Sequence, residues 1–383
     1  MLDFVNLLSK RKRRKNLRGG RSYHCRCGRP VFFDNSVCLA CNTALGYDPK
    51  LAKVFPIEQI SDSETWRISS TVNSSDVVYQ RCANLNRAAA CNWLVSDFED
   101  PELTHGLCKA CRLNRTIPDL SEAENNVLWA RLEAAKRRLV STLLELELPT
   151  KSKEEDPARG LAFDFLANPK EGPRVITGHA NGLITINIEE ARSSTREKIR
   201  EQLNEPYRTV LGHLRHEVGH YYWDRLITNT PWIEEFRQLF GDERTDYGSA
   251  MRDYYAAGPP ADWPSRFVTA YASAHPWEDW AETWAHFLHM SDTLATAVSF
   301  ELDPRALALE VDSFSRDLLY LPDEPEAERF LTFLNSWIAL AAVMNEMSRG
   351  MGESDFYPFA LPAAAVKKLH FMYMVVRKQI SCI

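Results

Sequence analysis

The sequence predicts an α+β protein, with small metal-bound modules of short strands first and a mainly helical domain with a small antiparallel sheet after them. Three observations predict it. Eight of the nine cysteines lie between Cys25 and Cys111, apolar residues recur at helical spacing from Ser121 onward, and one Asn-Gly turn interrupts that helical stretch.

The 383 residues are 45% hydrophobic and 26% charged, values that exclude collagen-like, mucin-like and wholly disordered chains. The length favours two or three domains. The divisions expected are a basic leader (1–21), a zinc ribbon (22–50), a second four-cysteine region (51–118), a peptidase-type domain (119–350) and a C-terminal helical extension packed on it (351–383). No apolar run reaches the ~18–20 residues of a spanning helix. Leu7 and Leu8 precede the basic run, the reverse of a secretory signal, so a cytoplasmic location is expected. Residues 1–21 carry eight Lys and Arg against one acid, a charge of +7, while the rest of the chain carries 38 basic against 51 acidic residues, −13. The leader reads first as a solvated arm. A contact of residues 10–21 with nucleic acid or another anionic surface is the alternative, although no aromatic residue interleaves the run.

Cys25 and Cys27, separated by one residue, are followed by Cys38 and Cys41, separated by two. Paired cysteines on two tight turns bring four thiolates to one tetrahedral centre, as in a structural zinc ribbon. Val31-Phe32-Phe33 suits a short strand between them and Asp34-Asn35-Ser36 a turn. The second set, Cys82, Cys91, Cys108 and Cys111, has tight spacing only in its last pair. With every position filled by thiolate, both sites are structural. Cys382 is left over.

Ser121-Glu122-Ala123-Glu124 reads as a capping box, followed by a stripe of Val127, Leu128, Leu132, Leu139, Leu143, Leu144 and Leu148. Leu161–Leu166 and Arg174–Ile176 read as strands. The second joins Leu183–Ile188 through Asn181-Gly182, a hairpin signal, and Leu183–Ile188 reads as an edge strand open to an extended peptide. A helix from about Pro206 to Leu226 contains His213 and the motif His216-Glu217-Val218-Gly219-His220. His216 and His220, one turn apart, leave the same face and can share a zinc ion. Glu217 stands where it can take a proton from the water that such an ion activates. His213 shares the face and is expected to pack or to support the site. A third ligand is expected downstream, where Glu278 and Glu282 lie one turn apart on a helix starting near Pro276, with His286 and His289 as competitors.

These residues resemble the glutamate-zincin metallopeptidases, in which HExxH is followed by a helix carrying two acids four residues apart. The resemblance implies that His216, His220 and Glu278 bind a catalytic zinc, Glu217 is the general base and Glu282 supports a ligand histidine. Phe267-Val268-Thr269-Ala270-Tyr271 looks like a stretch of the anthrax-lethal-factor-like branch, which implies that Tyr271 steadies the oxyanion. The layout as a whole, with Pro-Trp-Glu-Asp-Trp-Ala-Glu-Thr-Trp-Ala after the ribbons, resembles bacterial zinc-binding metallopeptidases with an N-terminal zinc-ribbon domain. The resemblance covers roughly residues 22–350. It implies a protein or peptide substrate and three zinc ions, one catalytic and two structural. The rival reading is an inert zinc-ribbon adaptor that binds protein or nucleic acid, with two.

Overall fold

The computed structural model describes residues 21–61, 63–69, 77–202, 205, 207–307, 309 and 312–381. Residues 1–20, Pro206 and Cys382 lie outside them. Chain contacts divide the protein between Ile199 and Arg200.

In the first unit, β1 (Tyr23–His24) pairs antiparallel with β2 (Pro30–Val31). Gly28, at φ +82°, supplies the left-handed residue that the turn between them needs. An antiparallel sheet follows in sequence order: β3 (Leu45–Asp48), β4 (Lys53–Gln59), β5 (Trp66–Ile68), β6 (Tyr79–Arg81) and β7 (Leu94–Ser96). This sheet runs across residue 50, so the segments expected as 22–50 and 51–118 share one β layer. It curls until the Tyr47 N–H donates to Asn92 O at 2.9 Å and the Tyr47 and Trp93 rings lie 4.6 Å apart. The Asn92 amide donates to Phe33 O (2.7 Å) and Asn35 O (2.9 Å), tying the turn of the first cysteine set to the residue after Cys91.

A short helix, α1 (Pro101–Thr104), and β8 (Asn114–Thr116) lead to α2 (Ala123–Glu145). The expected Ser121 cap is not formed. Glu122 stands at the N-cap position without a side-chain bond, and the Ser121 N–H is held by Asp119 instead, at 2.9 Å. Leu128, Leu132, Leu139 and Leu143 are buried as the stripe predicts, but Val127 is 51% exposed. The same helix carries buried charge. Arg137 donates to Ala89 O (2.9 Å) and pairs with Asp34 (3.1 Å), while Lys136 pairs with Glu133 at 2.7 Å. Glu145 pairs with Arg21 at 3.0 Å. Arg21, counted above with the basic leader, is 5% exposed and is therefore withdrawn from any nucleic-acid contact.

The second sheet is mixed, where an antiparallel one was expected. Its order is β10 (Gly178–Ala180), β11 (Leu183–Asn187), β9 (Ala162–Leu166), β8, and only the β10–β11 pair is antiparallel. Asn181 (φ +50°) and Gly182 (φ +80°) form the hairpin turn as their types predict. Leu183–Ile188 is not an open edge, because β11 is paired on both sides, so the expectation of peptide addition there falls. Arg174–Ile176 is not a strand either. Asn168 Oδ1 accepts from the Val175 N–H (3.0 Å) and the Asn187 amide donates to Val175 O (3.1 Å), so side chains satisfy a backbone that a ladder otherwise would. α3 (Ser193–Gln202) follows.

The second unit is helical: α4 (Val210–Leu226), α5 (Ile233–Phe240), α6 (Tyr247–Ala257), α7 (Trp263–Arg266), α8 (Pro276–Ser299), α9 (Ala327–Gly350) and α10 (Ala363–Ser381). α4 begins at a Thr209 cap that accepts from the Gly212 N–H at 3.0 Å. α8 begins, as expected, at Pro276, behind a His275 cap. α4 and α8 run antiparallel, with Arg215 bound to His289 and Asp292 (each 2.6 Å) near one end and His220 facing Glu278 at the other. Gly219 sits where they come closest. A Cβ there would stand 3.0 Å from Ala281 Cα and 3.2 Å from Trp284 Cβ, and Trp280 Nε1 donates to Gly219 O at 2.9 Å. α10 joins this pair through Lys368, whose amine donates to Asp279 (2.6 Å) and to Arg266 O (3.1 Å). α9 is long and apolar enough on average to cross a membrane by length and composition, although no uninterrupted apolar run in it has that length. Its Phe330, Leu334 and Trp337 are buried within the unit.

Candidate metal centres

Three clusters of ligating side chains lie among the described residues: Cys25, Cys27, Cys38, Cys41; Cys82, Cys91, Cys108, Cys111; and His216, His220, Glu278. Within each, the ligand atoms all lie within 4.8 Å of one another. These are the three groups that the sequence singles out.

In the first set, Cys25 and Cys41 sulfurs are 3.5 Å apart and Cys27 and Cys38 sulfurs 3.8 Å apart. In the second, Cys91 and Cys108 are 3.6 Å apart. A tetrahedral zinc with Zn–S near 2.3 Å needs sulfurs about 3.8 Å apart, so both sets fit that ion. The sites differ in burial. Cys27 and Cys41 are exposed, whereas all four members of the second set are buried. Thr43 helps the outer site toward the thiolate form that a metal needs, its hydroxyl 3.1 Å from Cys41 Sγ. Hydrogen bonds from its side chain and backbone lower the Cys41 thiol to about 6. At the inner site the Cys108 N–H donates to Cys82 Sγ (3.4 Å) and Glu133 lies 3.8 Å from Cys111 Sγ.

In the third cluster His216 Nε2 is 3.2 Å from His220 Nε2 and 3.0 Å from Glu278 Oε2. Ligand atoms around a zinc with legs of 2.0–2.1 Å are separated by about 3.3 Å. Glu278 is 1% exposed, and its Oε2 is a buried oxygen without a hydrogen-bond partner. An orphaned carboxylate oxygen facing His216 Nε2, with the other oxygen of the same carboxylate 3.6 Å from His220 Nε2, is the donor set of a divalent zinc site. Burial works against ionisation of Glu278, yet the facing histidines hold its carboxyl well below the usual range.

The surrounding shell is ordered by carboxylates. His216 Nδ1 donates to Glu282 Oε1 (2.6 Å), and Glu282 Oε2 accepts from the Thr269 hydroxyl (2.8 Å). Both oxygens of Glu282 are thereby fixed, which orients the His216 ring. Glu217 is 5% exposed and His213 Nε2 lies 3.1 Å from its Oε1. Burial alone pushes the Glu217 carboxyl up, but His213, His216 and His220 together hold it below the ordinary carboxylate value. His213 thus supports Glu217. The Tyr271 ring centroid lies 5.9 Å from that of His216. His286 and His289, the competing ligands, are engaged elsewhere: His286 Nδ1 meets the Tyr357 hydroxyl and His289 Nδ1 accepts from Arg215, each at 2.6 Å.

Residues 125–375 match the family described as "Putative zinc-binding metallo-peptidase", and residues 22–122 match one described as "zinc-ribbon domain". The chain belongs to this zinc-binding metallopeptidase family. Proteins of Mycobacterium bovis and Mycobacterium tuberculosis, described as uncharacterized, are 40% identical to it over 358 residues, 93% of this chain and 95% of theirs. No solved structure matches the chain. The family match begins inside α2, whereas the structural division falls at Ile199, so α2 and the mixed sheet share a unit with the zinc ribbons.

Four residues at or behind the cluster escape a sequence reading. Tyr247, 31 positions before Glu278, donates its hydroxyl to Glu278 Oε1 at 2.8 Å. Thr269 lies inside the Phe267–Tyr271 stretch but has no motif of its own. Burial pushes the Asp224 carboxyl up while His220 draws it down, and its i+4 spacing from His220 is the signal that could have found it. Gly219 is visible inside the motif but its packing role is not.

Proposed function

We propose that this chain is a peptidase of the HExxH, glutamate-ligand type, cleaving a protein or peptide with one zinc ion held by His216, His220 and Glu278. The observation that carries the reading is the orphaned Glu278 Oε2 facing His216 Nε2, with Oε1 of the same carboxylate 3.6 Å from His220 Nε2 and a buried carboxylate, Glu217, on the helix of the two histidines. When bound, zinc supplies a Lewis acid that polarises a carbonyl and acidifies water. Glu217 takes a proton from the attacking water and returns it to the leaving amine nitrogen. His213 holds Glu217 ionised and aimed for that transfer. Tyr271, beside His216, is the candidate donor to the oxygen on which negative charge develops. Glu282 and Thr269 keep the His216 ring turned so that Nε2 faces the ion. The two four-cysteine sites hold structural zinc and brace α2.

The test compares wild type with Glu217→Gln on a proteome-derived peptide library. Wild type yields new termini, and the variant loses cleavage by at least about 100-fold while keeping its zinc. Equal cleavage by both proteins, or none by a zinc-loaded wild type, would sink the reading.

A further inference from the structure

Tyr247 is the first residue of α6, an element outside the α4–α8 pair that carries the metal cluster. Its hydroxyl donates to Glu278 Oε1 at 2.8 Å, an oxygen that lies 3.6 Å from His220 Nε2, while Oε2 of the same carboxylate has no hydrogen-bond partner and faces His216 Nε2 more closely, at 3.0 Å. The two oxygens of one buried carboxylate therefore have different tasks. A carboxylate with both oxygens free can take two positions on a metal ion. In one whose second oxygen already accepts a strong hydrogen bond, that oxygen is the weaker donor and the free oxygen is favoured as the ligand. A hydrolytic zinc needs three protein ligands and one position left over for water.

Resting on the peptidase reading above, we propose that Tyr247 is a positioning residue that makes Glu278 a one-oxygen ligand and so keeps the fourth coordination position open. The hydroxyl is delivered by a short separate segment. Gly241 (φ +105°) and Gly258 (φ +77°) bracket Asp242–Ala257 in conformations that favour glycine, and among the residues of α6 only Met251 is buried. The Tyr247 ring is seated against His275 (5.3 Å) and Trp277 (5.9 Å), contacts that do not involve the hydroxyl. Tyr247→Phe keeps the ring and removes only the donor.

The experiment uses the full chain with its cysteine sites loaded with zinc and the third site titrated with zinc or with cobalt. Tyr247→Phe is expected to weaken zinc at the third site by about 10- to 100-fold. It is also expected to weaken the visible absorption of the cobalt form, as a change from four to five ligands does. The cysteine-bound zinc should be unchanged. Equal third-site affinity with an unaltered cobalt spectrum overturns the role of Tyr247. If wild type itself takes up no third ion, the peptidase reading fails before Tyr247 is at issue.

Discussion

At the scale of single residues, the buried titratable groups divide into those serving the metal cluster and those that burden the fold. His370, on α10, is of the second kind. It is fully buried, both ring nitrogens lack a hydrogen-bond partner, and burial drives its imidazole down to about 4. An unfolded histidine titrates near 6.5. Between those values the unfolded chain binds a proton that the folded chain refuses, so stability is present at pH 7 and is lost as pH falls through about 6 toward 4. His370→Leu is therefore expected to lose less thermal midpoint than wild type on going from pH 7 to pH 5. Parallel midpoint-against-pH curves would contradict it. Of the residues at the cluster, His216, Glu217 and His220 were legible because helical spacing alone puts them in reach of one ion, whereas Glu278 was set apart from Glu282, His286 and His289 only by the family resemblance. Tyr247 was not, because its approach depends on how α6 packs, and no local pattern encodes that.

At the scale of elements, the catalytic candidate is the product of one close helix crossing. α4 carries two ligands and α8 the third, and they reach 3.0 Å of each other because Gly219 has no side chain to keep Ala281 and Trp284 away. Gly219→Ala forces Ala281 and Trp284 to give, an overpacking that costs about 1–3 kcal/mol. In a protein of this size that lowers the thermal midpoint by about 1–4 °C. It should also weaken zinc at the third cluster without touching the cysteine sites. A variant with the wild-type midpoint and zinc content would refute the packing role. The elements themselves were readable wherever local signals decide: the Asn181-Gly182 hairpin, α8 behind Pro276 and α4 around the motif. The errors lie where distant pairing decides. β11 lies parallel beside β9, a partner about twenty residues back, and that neighbour cannot be inferred from the strand's own alternation. The Ser121 capping box failed for a local reason, since Asp119 takes the Ser121 N–H that Glu124 would accept.

At the scale of the whole molecule, the two four-cysteine clusters and the His216–His220–Glu278 cluster are held in different structural units. The first unit uses α2 as its brace, with Arg137 bridging the loops of the two cysteine sets and Glu133 beside Cys111. The second unit holds the His216–His220–Glu278 cluster on its own α4–α8 pair. Loss of the third ion should therefore leave the ribbon sites filled. The most direct test of the account is the zinc content per chain of wild type and of His220→Ala, purified in the same way. The account predicts three zinc ions in wild type and two in the variant. Two in wild type, or equal contents in both proteins, would contradict it.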